Sequence, residues 1–106
     1  MKSQAGTSEL LRQAARLQRK VERAKDELKD RETSASAAGD KVSVTVTWGG
    51  KLRHIAIDPE FLANEGLELA LDSVVAAANN ALEAASQQLD AEITKATGGL
   101  RIPGLG

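Results

Sequence analysis

Apolar residues along the chain repeat with three different periods, and each period predicts a different kind of element. From residue 8 to 32, Leu10, Ala14, Leu17, Val21, Ala24 and Leu28 recur at spacings of 4, 3, 4, 3 and 4, the seam of a helix that packs against another helix. Thr7 or Ser8 is suited to cap its start. The period then disappears in Thr33-Ser34-Ala35-Ser36-Ala37-Ala38-Gly39-Asp40, which reads as a linker over residues 33–40.

Over residues 41–57 the period becomes two. Val42, Val44, Val46 and Trp48 alternate with Ser43, Thr45 and Thr47, and Gly49-Gly50 predicts a two-residue hairpin turn with positive φ. Counting back from that turn pairs Val42 with Ile57, Val44 with Ile55 and Thr45 with His54, so the apolar residues of both strands share one face. The same count sets Val46 opposite Arg53 and Trp48 opposite Lys51, making that face basic towards the tip.

Asp58-Pro59-Glu60 predicts a helix start, with Asp58 as cap and Pro59 in the first turn, where its missing N–H costs little. A short turn bearing Phe61 and Leu62 should break near Asn64-Glu65-Gly66. A longer helix follows with Leu67, Leu71, Val74, Val75, Ala78, Leu82, Ala85, Leu89 and Ile93 as its apolar face, and it should stop at Gly98-Gly99. Helices thus occupy 58–97, and residues 98–106 form a Gly/Pro-punctuated tail whose apolar residues either dangle or dock. The expectation is one α+β domain over 1–106: a long N-terminal helix, an antiparallel β-hairpin or small sheet, and C-terminal helices.

Composition limits what such a domain can do. Alanine makes up 18 of its hydrophobic residues, and only Trp48 and Phe61 are aromatic, so the core will be thin. A lone hairpin is marginal, and a helix of ~25 residues spans ~37 Å, more than so small a body can cover. A homo-oligomer follows, most simply a symmetric dimer with Val42, Val44, Val46, Trp48, Ile55 and Ile57 at its interface. With no cysteine and one histidine, thiol chemistry, a thiolate zinc site and a His relay within one chain are excluded, and neither a cofactor nor an active site is expected. No apolar run is long enough to span a bilayer and no secretory layout is present, which predicts a cytoplasmic protein with no membrane partner.

The net charge of −1 conceals a gradient. Residues 1–32 carry nine basic and six acidic side chains, whereas 59–106 carry two and seven. Within the basic end, Arg12, Arg16, Arg19 and Arg23 fall at spacings of 4, 3 and 4 on the face opposite the apolar seam, flanked by Lys20. A guanidinium presents a planar fork to a phosphate and stays charged, so this ladder suits a nucleic-acid backbone. Its competing reading is a solvated face, since Asp26 and Asp30 continue it with opposite sign. Trp48 with Lys51 and Arg53 is a second candidate, able to stack on a base, although a lone Trp in a core this poor in aromatics serves better as packing, with Arg53 over its ring. His54 reads as a solvent-facing strand residue, and Glu22, Asp26 and Asp30 read as ion-pair partners of neighbouring cations rather than metal ligands.

In order, these segments resemble the YbaB/EbfC family of bacterial nucleoid-associated proteins. The likeness is carried by the amphipathic first helix, by Val42-Ser43-Val44-Thr45-Val46 before a glycine turn and by Ile55-Ala56-Ile57-Asp58-Pro59-Glu60-Phe61-Leu62. The alanine-rich segment from Val74 to Leu82 and the ending Gly98-Gly99-Leu100-Arg101-Ile102-Pro103-Gly104-Leu105 complete it. The resemblance implies a small, tweezer-like homodimer in the nucleoid that binds double-stranded DNA with little sequence preference. It also implies a role in chromosome organisation or gene expression. Between Leu82 and Ile93 the last helix has Glu83, Asp90 and Glu92 and no Lys or Arg, so DNA contact is assigned to Arg12, Arg16, Arg19, Lys20 and Arg23, with Lys51 and Arg53 at the hairpin tip. The alternative is an accessory dimer with a protein partner.

Overall fold

A computed structural model describes residues 2–99, with side chains from residue 7. The order is α1 (Lys2–Leu28), β1 (Glu32–Ala37), β2 (Val42–Thr47), β3 (Leu52–Ile57), α2 (Pro59–Glu65) and α3 (Leu67–Ala96). The α+β architecture is as expected. The tail expected over 98–106 lies, from residue 100 onward, outside the described residues.

The segment read as a linker contains a strand. β1 pairs antiparallel with β2, from Glu32 opposite Thr47 to Ala37 opposite Val42, giving a three-stranded sheet in the order β1-β2-β3. Its inward positions are Thr33, Ala35 and Ala37, too small to register as a hydrophobic alternation, and its neighbour holds it instead: Ser34 Oγ and Thr45 Oγ1 share a hydrogen bond of 2.6 Å. The turn into β2 passes through left-handed φ at Ala38, Gly39 and Asp40.

Helix α1 begins earlier than expected, so Thr7 and Ser8 lie inside it, and it ends at Leu28 rather than 32. The chain turns there because the hairpin tip takes the next carbonyls: Gly49 N–H donates to Lys29 O at 2.9 Å and Trp48 N–H to Arg31 O at 2.8 Å. Gly49 eases this approach, since a Cβ there would lie 3.2 Å from the Lys29 oxygen, tighter than an ordinary contact.

Between β2 and β3 the pairs Val42–Ile57, Val44–Ile55 and Thr45–His54 are as expected. The tip differs. A bulge after Thr45 sets Val46 opposite Leu52, leaving Arg53 as the extra residue, so the apolar face does not turn basic. The loop is Trp48-Gly49-Gly50, closed by Thr47 N–H to Lys51 O at 2.8 Å; only Gly50 has positive φ, the arrangement of a three-residue hairpin.

The core lies between this sheet and α3. Val42, Val44 and Val46 are fully buried against Ala77, Ala81 and Ala85, with Ala35, Ala37, Trp48, Ile57 and Phe61 around them. The contact face of α3 centres on its small-residue stripe, Ala70, Ser73, Ala77, Ala81 and Ala85; of the expected face Val74, Ala78, Leu82, Ala85, Leu89 and Ile93 do pack inward, whereas Leu67, Leu71 and Val75 are exposed. Alanine lets the helix approach the branched valines closely, where leucine would hold it off. Asp58 caps α2, accepting from Glu60 N–H at 2.9 Å, and Gly66 separates α2 from α3. At the far end, Gly98 and Gly99 donate back to Lys95 and Thr94 in a Schellman motif, stopping α3 where expected.

The first helix is covered only in part. Val21 and Ala24 pack with Leu89, Ile93 and Ala96 of α3, while Leu10, Leu11 and Ala14 are exposed. Thr33, just past α1, bonds to Gln88, so the end of α1 lies level with Gln88 and the helix runs back past the end of α3. The molecule measures 75 × 20 × 17 Å, whereas α3 alone spans ~45 Å. Val21 to Lys2 thus forms an arm of ~29 Å.

Candidate nucleic-acid interface

The arm carries the basic ladder as far as Lys20, and Arg23 stands at its base. Arg12, Arg16, Arg19, Lys20 and Arg23 are all exposed, at the spacing that aligns them along α1. Arg12 lies 3.8 Å from Glu9, a surface pair one turn away. Among the described residues, no carboxylate lies within ion-pair distance of Arg16, Arg19, Lys20 or Arg23. The acidic continuation of the ladder is taken up elsewhere: Asp26 pairs with Lys29 at 2.9 Å, and that hydrogen bond and charge raise the Lys29 pKa. Arg16, Arg19 and Lys20 therefore lie without an ion pair on the arm, Arg23 stands at its base between the covered Val21 and Ala24, and Lys51 at the hairpin tip is a further cation without one among the described residues.

The hairpin tip was the second candidate, and its geometry is that of a joint. Trp48 Nε1 donates to Thr33 Oγ1 at 2.9 Å, and Thr33 Oγ1 donates in turn to Gln88 Oε1, linking tip, β1 and α3. Trp48 is half-buried against the core, and the cation over its ring is Arg31, 5.2 Å from the centroid, not Arg53. Arg53 reaches across β2 to Glu32 at 3.3 Å. Lys51 is exposed, while its backbone N–H is tied to Thr47 Oγ1. His54 is an exposed strand residue, as read. Sequence reasoning missed Arg31 because it was assigned to the helix; the short run between a helical and a strand period was the available signal.

The expected dimer residues divide in the same way. Val42, Val44 and Val46 are core residues within one chain, which corrects their assignment to a surface, and Trp48 and Ile57 are largely spent on the same core. Their apolar face was read as lacking a cover that the alanine stripe of α3 supplies. Ile55 is 44% exposed and Leu52 57%, because α3 lies across β1 and β2 and barely reaches β3. The outer edge of β3 pairs with no strand in the sheet. Leu62 on α2 and Leu67, Leu69, Leu71 and Val75 on α3 add to this exposed apolar surface.

No helix among the described residues is long and apolar enough to cross a membrane. The family model of the YbaB/EbfC DNA-binding family matches residues 3–100. A nucleoid-associated protein of Acetivibrio thermocellus is 42% identical over 97 residues, covering 91% of this chain and 86% of that protein. One from Clostridium kluyveri is 38% identical over 96 residues, covering 91% and 84%. An uncharacterized protein from Helicobacter pylori, known from its crystal structure, shares the fold with a TM-score of 0.64 at 20% identity, over 79% of this chain and 88% of that one.

Proposed function

The chain belongs to the YbaB/EbfC DNA-binding family, a family of DNA-binding proteins and not of enzymes, and from that premise we propose that it is a nucleoid protein that grips the phosphate backbone of double-stranded DNA with the arginine ladder of α1. The observation that carries this reading is the run Arg16, Arg19, Lys20 and Arg23, exposed along α1 and, among the described residues, without a carboxylate within ion-pair distance. Phosphate contacts position a protein without reading bases, so sequence preference is low. Lys51 adds charge at the hairpin tip, whereas Arg53 is shared with Glu32.

The working unit in this reading is a homodimer joined through β3. Its free edge can extend the sheet into a second copy, and burying Leu52 and Ile55 there completes a face that α3 leaves open. Two arms then present eight ladder arginines. The second reading, an accessory dimer for a protein partner, draws on exposed Leu67, Leu71 and Val75 and on the acidic stretch of α3.

Replacing Arg16 and Arg19 together by glutamate separates the two. In a gel-retardation assay with a mixed-sequence duplex, the variant loses retention while light scattering still gives the mass of the unaltered assembly. Equal retention of variant and wild type would remove the ladder from the DNA surface, and absence of wild-type retention at low salt would favour the protein-partner reading.

A further inference from the structure

Arg16, Arg19 and Lys20 stand on an arm whose direction helix packing alone does not fix. Among the described residues, the buried ones of α1 are Val21 and Ala24, one turn apart, against Ile93 with Leu89 and Ala96 beside it. A contact one turn long is a pivot, and the arm beyond it is a lever. A swing of ~10° moves the end of a ~29 Å arm by ~5 Å, more than the ~3.4 Å of duplex axis between successive phosphates of one strand.

The restraint on that swing sits at the root of the arm. Arg31 N–H donates to Leu28 O at 3.1 Å, the hairpin tip donates to Lys29 O from Gly49 and to Arg31 O from Trp48, and the Arg31 guanidinium lies over the indole. These contacts tie α1 to the tip. The tip is tied to α3 by a hydroxyl: Thr33 Oγ1 accepts from Trp48 Nε1 at 2.9 Å and donates to Gln88 Oε1. An indole N–H can only donate, so the hydroxyl must direct its one proton to α3, and the relay has a single orientation. Trp48 also packs against the core, but apolar contact is non-directional, whereas a hydrogen bond fixes distance and angle.

We propose that Thr33 is a positioning residue of the nucleic-acid interface: by bridging Trp48 and Gln88 it holds α1 at one angle to α3, and the ladder with it. The inference rests on the reading of the ladder as the phosphate-binding surface and adds a residue outside it, which acts through Trp48 and Gln88 rather than on the phosphate. An arm held in advance has no swing to give up on binding, so affinity is gained without a further contact.

The chain contains no cysteine, so Ser8→Cys on the arm and Lys95→Cys on α3 give two sites for nitroxide labels in the full-length protein. Diluted into excess unlabelled protein, the pair should give one narrow distance distribution by pulsed electron paramagnetic resonance. Thr33→Val, which keeps the side-chain shape and removes the hydroxyl, should broaden it, and so should Gln88→Ala at the exposed end of the relay. Thr33→Ser should restore the narrow distribution. Without the labels, Thr33→Val should bind a mixed-sequence duplex several-fold more weakly at every salt concentration alike, since the ladder keeps all its charges. A distribution as narrow in Thr33→Val or Gln88→Ala as in the parent would overturn the proposal. So would an unchanged Kd in a broadened Thr33→Val, or a defect that Thr33→Ser does not repair. Failure of the wild type to bind DNA would instead count against the proposed function, and the distance measurement would still decide whether Thr33 holds the arm.

Discussion

The sheet-and-α3 body and the α1 arm solve opposite problems with the same residue types. In the body, alanine is a contact residue: Ala77, Ala81 and Ala85 allow Val42, Val44 and Val46 to be sealed completely. On the arm, leucine is a surface residue, and Leu10 and Leu11 remain open to solvent. Charge is divided the same way. Around the body Arg53 is paired with Glu32 and Lys41 with Asp58, whereas among the described residues Arg16, Arg19 and Arg23 have no carboxylate within ion-pair distance. Stability is thus made in one region and chemistry displayed in the other, so substitutions that ruin one should spare the other.

The largest effect is expected from placing a charge in each. Val44→Asp buries an unpaired carboxylate and should cost on the order of 4 kcal/mol or more, enough to leave the body unfolded by circular dichroism. Leu11→Asp should leave the thermal transition nearly unmoved. A large shift for Leu11→Asp would show that the arm belongs to the core.

Overpacking comes next. Ala81→Leu forces a larger side chain between α3 and β2, for an expected loss of about 1–3 kcal/mol in denaturant unfolding. An unchanged midpoint would contradict the close helix–sheet approach. The joint between the regions is worth less: Trp48→Phe keeps an aromatic ring but loses the five-membered ring that carries the donor to Thr33, costing on the order of 1 kcal/mol by the same measurement.

The smallest effect concerns Asp58. Its pKa is lowered chiefly by the hydrogen bond from Glu60 N–H, with Lys41 adding to it, so the carboxylate is favoured in the folded state. Its contribution is complete above the ordinary carboxylate value and is lost as pH falls through the lowered one. Asp58→Ala should reduce Tm by a few degrees at neutral pH and by progressively less in acid. A difference that persists undiminished at the lowest pH would show that the cap does not act through its charge.

What the chain reveals in advance follows the size of its side chains. The pairing of Val44 with Ile55 and the break at Gly66 are legible because large alternating residues and a glycine mark them. β1 is not legible: Thr33, Ala35 and Ala37 acquire their strand character from β2 and the close cover of α3, both distant in sequence. The same cause rotates α3 by part of a turn, since size-weighted periodicity favours Leu67, Leu71 and Val75 over the alanines that make the contact. The arginine ladder is legible because a helix converts spacing directly into alignment. Arg53 was misplaced because a one-residue bulge after Thr45 leaves no mark in the alternation.

The ladder itself is tested most directly by the salt dependence of DNA affinity, measured by fluorescence anisotropy on a mixed-sequence duplex. With eight arginines of a dimer engaged, log Kd plotted against log salt should rise with a slope of about 7, at ~0.9 per phosphate. A slope near zero, from protein that binds and is folded, would contradict backbone recognition by α1.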